Sequence, residues 1–149
     1  MIHPSQSIVV DRDKVVAQCA ALMHRTQPAI FNKWPEGRLE EWLGYHWDQG
    51  ACAVVGNGSH VIACAVAWRA HLPDIDDDWC VWDDTGDCLY FAQLHAVSTE
   101  ALAACLNFLS KRVPKWQDLN LIAMRRGRRV RLTPQLICRL WNKTKTHEC

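Results

Sequence analysis

Apolar positions along the chain fall into two rhythms, one of helical period and one of nearly unbroken runs. Val15, Val16, Cys19, Ala20, Leu22 and Met23 recur at helical spacing. They follow Asp11, a residue suited to the N-cap, and predict a helix to about Arg25. Upstream, Gln6 to Val10 reads as a short edge strand; downstream, Pro28 breaks the chain. A second helix is expected from Pro35, with Glu36 suiting its N-terminus. Leu39, Trp42, Leu43, His46 and Trp47 form its apolar stripe, and Gly50 closes it.

The second rhythm begins at Ala51. Ala51 to Val55 and His60 to Trp68 flank Gly56-Asn57-Gly58-Ser59, and Asn-Gly is the preferred dipeptide of a two-residue hairpin turn. Both arms are almost wholly apolar, which predicts cover on both faces. Asp74 to Asp87 holds seven Asp and no Lys or Arg and reads as a solvated connection. Leu89 to Val97 is another buried strand. Ser98 then caps a helix whose stripe is Leu102, Cys105, Leu106 and Leu109, ending at Pro114. Leu119 to Met124 is a strand, and Val130 to Leu132 returns from a tight turn. Thr133-Pro134 opens a last helix with Leu136, Ile137, Leu140 and Trp141 inward.

The predicted order is β-α-α-β-β-β-α-β-α: an α+β class with a mixed, mostly antiparallel sheet flanked by helices. At 149 residues the chain suits one domain spanning 1–149. Its longest uncharged apolar run, Val61 to Trp68, is far below the roughly 20 residues of a membrane span, so no membrane insertion is expected. The N-terminus has no basic stretch followed by an apolar one, so no secretory signal is read and synthesis in the cytoplasm is expected.

Two helices, a meander of three buried strands, then a helix crossing to another strand: this order resembles the GNAT N-acetyltransferase fold. The resemblance covers most of the chain, its best parts being the buried hairpin and the strand-to-helix unit from Leu89 to Leu109. It implies a coenzyme A site, where an Arg/Gln-x-x-Gly-x-Gly/Ala turn after the fourth strand offers backbone amides to a pyrophosphate. The matching segment here is Leu94-His95-Ala96-Val97-Ser98-Thr99-Glu100-Ala101, which has neither glycine nor arginine and carries Glu100 where the pyrophosphate would lie. Val97 and Ser98 are the cofactor-binding candidates within it, with Arg126 and Arg128 as candidates on a later turn. The family commonly draws its acid from a Tyr near the last helix, whereas Tyr45 and Tyr90 are the only tyrosines here. His95 and His71 are the candidate bases. A GNAT-like chain of this size without the glycine turn also resembles small proteins of tailed bacteriophages, some carried in the virion. That likeness implies a structural or interaction role.

Charge adds a second clue. The net charge of +1 conceals a split: Asn107 to Cys149 carries eleven Lys or Arg against Asp118 and Glu148, a balance of +9, and the rest of the chain stands at −8. Arg125, Arg126, Arg128, Arg129 and Arg131 cluster on one turn and suit phosphate or carboxylate. Asp74, Asp76, Asp77, Asp78, Asp83, Asp84 and Asp87 form an acidic face that such arginines would meet, within one molecule or in a neighbouring copy by a heterologous contact. No aromatic residues interleave the arginines, which weakens a nucleic-acid reading. Trp79 and Trp82 lie in the acidic stretch and either pack on their own domain or meet a partner.

The eight cysteines include no pair two to four residues apart, so no metal site is expected; they read as reduced core thiols, apart from Cys149, whose terminal position suits exposure. The expectation is a non-catalytic GNAT-like interaction or structural protein that self-associates or binds a protein, in a virion if the chain is phage-encoded. The alternatives are an acetyl-CoA-dependent N-acyltransferase with a non-standard phosphate site and a nucleic-acid-binding module.

Overall fold

A computed structural model describes residues 11–142, with side chains to residue 139. The strand expected at Gln6 to Val10, the inward side chains of Leu140 and Trp141 and the exposed Cys149 lie outside these described residues. The first helix, α1 (Arg12–Thr26), starts at Asp11, whose side chain accepts from the Lys14 amide. Where Pro28 was expected only to break the chain, it opens a further turn of helix, α2 (Pro28–Phe31), as a first-turn proline with nothing to donate. The next helix, α3 (Arg38–Asp48), begins three residues later than Pro35 suggested, because Gly37 at φ 79° lies outside helical backbone.

The sheet follows: β1 (Cys52–Gly56), β2 (Val61–Ala70), β3 (Cys88–Ala96), β4 (Asn120–Arg125) and β5 (Arg128–Leu132), with helix α4 (Thr99–Arg112) between β3 and β4 and α5 (Pro134–Asn142) last. Neighbours in space follow chain order, β1-β2-β3-β4-β5, and every pair is antiparallel except β3 with β4. The fold is therefore α+β around an open, mixed, mostly antiparallel five-stranded sheet. Compared with the expected order it gains α2, and the short return read at Val130 to Leu132 is a strand, β5, that starts two residues earlier. The β1–β2 turn centres on Gly58-Ser59 rather than Asn57-Gly58: the Asn57 amide donates to the His60 carbonyl, and the Asn57 side chain accepts from the amides of Ser59 and His60.

Both faces of the sheet are covered, as the unbroken apolar strands required. Val54, Cys64, Val66, Trp68, Tyr90 and Ile122 bury one face against α1, α2 and α3. Val55, Ala65, Ala67, Phe91, Leu121 and Ala123 bury the other against α4 and α5. Helix α4 is capped by Ser98, whose Oγ accepts from the Ala101 amide at 3.1 Å.

Two irregularities shape the end of β3. Val66 pairs with Gln93 and Ala67 with Phe91, so Ala92 is an extra residue bulged from the ladder. The parallel pairing with β4 covers only Cys88 to Phe91, so Gln93 to Ala96 run on beyond it.

Candidate functional site

The acidic stretch keeps most of its aspartates exposed, as a solvated connection would, but it is also seated on the fold. It folds back over α3: the indole N–H of Trp42 donates to the Asp78 carbonyl at 2.7 Å, and Tyr45 Oη donates to the Cys80 carbonyl at 2.9 Å. Trp79 packs edge-on to Tyr45 and parallel to His46, with ring centroids 5.0 and 6.2 Å away. The side chain of Trp82 donates to Asp84, and Arg112 lies over its ring at 5.7 Å. Both tryptophans are thus part of their own domain.

Several of the aspartates hold the loop itself. Asp76 accepts from the amides of Asp78 and Trp79, Asp83 from Thr85, and Asp87 from the Leu72 amide. Asp77 reaches across the sheet edge: Arg129 Nε donates to it at 2.8 Å, Tyr90 Oη also at 2.8 Å, and Arg129 Nη2 donates to the Ile75 carbonyl. Burial pushes the Asp77 carboxyl up, but its hydrogen bonds from Arg129 and Tyr90 outweigh that and hold it below its ordinary value. The basic and acidic segments therefore meet within one molecule, at Arg129. Asp74 and Asp78 have exposed side chains outside this set of hydrogen bonds.

The other arginines divide by sheet face. Arg129 pairs with Met124 and Arg131 with Ile122, on the face of α1 and α3; Arg131 donates to Asn120 Oδ1. Arg128 is directly opposite Arg125, on the face of α4 and α5. Arg126 and Gly127 form the two-residue turn, both at positive φ (52° and 74°), which asks for Asn-Gly or Gly-Gly and receives an arginine. Among the described residues, Arg125, Arg126 and Arg128 are exposed and have no hydrogen-bond or ion-pair partner.

A cavity of about 400 Å³ lies where β3 passes into α4, lined by Leu94, Ala96, Val97, Ser98, Thr99 and Leu102. It contains both Val97 and Ser98, the cofactor-binding candidates. Its polar groups are few: Ser98 is committed to its cap, and no cation lines it. The β4–β5 tip lies at the same end of the parallel pair and, through Arg125 and Arg128, on the same face of the sheet.

The two candidate bases are not brought to this cavity. His95 points to the opposite face, where its Nδ1 lies 2.8 Å from Thr26 Oγ1 and its Nε2 2.7 Å from Gln93 Oε1. The Gln93 oxygen can only accept, so Nε2 carries the proton and Thr26 donates to Nδ1. Burial lowers the His95 pKa to about 4, which keeps the ring neutral and tied to α1. His71 follows β2 at the far end of β3, with Nε2 3.4 Å from Asp83 and 3.3 Å from Thr85.

Sequence reasoning passed over His46, which it placed only in an apolar stripe. This ring is fully buried between Trp68 and Trp79, its Nδ1 donates to the Trp42 carbonyl, and its Nε2 has no partner among the described residues. Burial lowers its pKa. Cys19, Cys64, Cys80, Cys88 and Cys105 are buried free thiols; burial raises Cys105 to about 12 and Cys80 to about 11, so those two are protonated and inert. Cys138 departs from the expected reduced state, being disulfide-bonded. Among the described residues no group of His, Cys, Asp or Glu is arranged to hold a metal ion, and no helix is long and apolar enough to cross a membrane.

Comparison with known proteins settles no family. No family profile matches the chain, and no curated protein matches it.

Proposed function

We propose that the chain is a GNAT-like domain that acts as a non-catalytic interaction protein and contacts a carboxylate-rich protein surface through the tip of its β4–β5 hairpin. The GNAT likeness is supported by the meander β1-β2-β3 followed by a helix that crosses to a parallel strand. One observation carries the interaction reading: the tip sets two unpaired guanidinium groups, Arg125 and Arg128, directly opposite each other, with a third, Arg126, in left-handed backbone. Like charges in facing strand positions and a non-glycine residue at positive φ both cost stability. An anionic partner removes the first cost on binding, and Arg forks suit carboxylates bidentately. A carboxylate surface fits better than a nucleic-acid backbone, because the phosphates flanking the tip would run toward Asp74 to Asp78. The non-catalytic part rests on His95 being locked and on no base lining the cavity.

The test is fluorescence anisotropy with a labelled oligo-glutamate peptide and with a labelled DNA duplex of equal charge. Peptide binding that Arg125→Glu/Arg128→Glu abolishes supports the reading. Tighter binding of the duplex, lost in the same variant, moves the function to nucleic acid. Binding of neither ends both.

A second reading is favoured by the cavity at the start of α4, which lies where the resemblance puts coenzyme A. In that reading the domain binds acetyl-CoA, with phosphates reaching the arginine tip. Calorimetric titration of acetyl-CoA tests it: micromolar binding lost in Arg126→Glu supports an acyltransferase, and no heat at millimolar ligand removes it.

A further inference from the structure

We infer that the carboxylate-rich surface met by the arginine tip is the acidic loop of a second copy, in a closed twofold dimer built across the β5 edge. This rests on the interaction reading above and names its partner. The Arg129–Asp77 ion pair brings Asp77 of the acidic loop to the β5 edge beside the hairpin tip, on the face opposite Arg125 and Arg128. Arg125 and Arg128 stand on the α4 face; Asp74 to Asp78 lie on the α3 face, where the loop is fastened by Trp42 and Tyr45.

That arrangement has a definite symmetry consequence. Rotation by half a turn about an axis parallel to β5 exchanges the two faces of the sheet and leaves height along the strand unchanged. The basic face of one copy then meets the acidic face of the other at the same level, twice. The contact is isologous and closes at two chains, instead of the open heterologous array that separate patches would build. A twofold perpendicular to the sheet would instead set like faces together. It would also lay the β5 strands antiparallel with their arginines crowded along one shared edge, and charged edge residues oppose such strand pairing. Asp74 and Asp78 are available for the contact because neither side chain takes part in the loop's own hydrogen bonds.

The test is the mass of the full chain in solution by light scattering and sedimentation, at low salt and in molar salt. The expected result is a dimer at low salt whose association weakens at least about tenfold in molar salt, since partly exposed ion pairs are screened. Two variants sharpen it, each checked for folding by circular dichroism. Arg125→Glu/Arg128→Glu puts carboxylates at the contact positions of both patches and Asp74→Lys/Asp78→Lys puts cations at both, so each is monomeric alone. An equimolar mixture restores the dimer, because every contact is again between opposite charges. Should either variant fail to fold, the salt dependence of the unaltered chain decides. A monomer at low salt, a dimer indifferent to both salt and substitution, or assemblies that grow beyond two with concentration overturns the proposal. Oligo-glutamate binding by a monomeric chain keeps the interaction reading while discarding the dimer; loss of both discards both.

Discussion

His95 illustrates how the surroundings of one side chain decide its role. Its position at the end of a buried strand invited a reading as a base, yet both ring nitrogens are spent on Thr26 and Gln93. The consequence is thermodynamic. In the unfolded chain the imidazole protonates near 6.5, whereas in the fold it resists until about 4. Between those values the unfolded state binds more protons, so stability is full above about pH 6.5, falls as pH drops, and levels off below about 4. The loss from this one group is roughly 3 kcal/mol. Urea denaturation across that range is expected to show the slope, and His95→Gln to reduce it, leaving the part due to buried His46, whose pKa is lowered in the same sense. Arg126 gives a second residue-scale expectation. Asparagine tolerates left-handed backbone better than arginine, so Arg126→Asn raises stability by up to about 1 kcal/mol while weakening oligo-glutamate binding. A denaturation midpoint that fails to rise argues that the turn carries no strain.

At the scale of elements, what was legible in the sequence was local. The stripe from Val15 to Met23, the Ser98 cap and the Thr133-Pro134 start each carry their signal within a few residues, and each marks a helix found there. The cover on both sheet faces was legible too, since unbroken apolar runs leave no face for water. What was missed depends on contacts distant in sequence. The acidic stretch looks solvated because its composition is polar, but its carboxylates cap its own backbone, Trp79 docks on α3, and Trp42 of that helix reaches the Asp78 carbonyl thirty-six residues away. The meeting of Arg129 with Asp77, fifty-two residues apart, has no local signature either. Among the candidate site residues, Val97 and Ser98 do line a cavity, while His71 and His95 lie at opposite ends of β3. The loop's return to the sheet rests on Gly86, where a Cβ would run into the Ala70 backbone at the end of β2. Gly86→Ala is therefore expected to cost about 2–3 kcal/mol, as forced overpacking does. A thermal midpoint unchanged from the parent would show that the loop is not seated as described.

The whole molecule is two helical layers sharing one sheet, and β2 and β3 give side chains to both cores. Neither layer can lose its packing without exposing strands that the other needs. Tryptophan fluorescence reports mainly on the α1–α3 side, where Trp34, Trp42, Trp68 and Trp79 lie, whereas far-ultraviolet circular dichroism reports on all helices and strands. The two probes are expected to give one coincident urea transition, and separated midpoints would mean that the layers unfold independently.

The unpaired hairpin tip has a practical consequence for anyone handling the chain. Arg125, Arg126 and Arg128 stand together on exposed backbone, and a protease that cleaves after basic residues seeks just such a protruding turn. Brief exposure to trypsin is expected to nick the chain there before it reaches the arginines held by Asp77 or Asn120. The first cut then serves as a footprint: whatever covers the tip in solution slows it, and the time course measures that cover without a label.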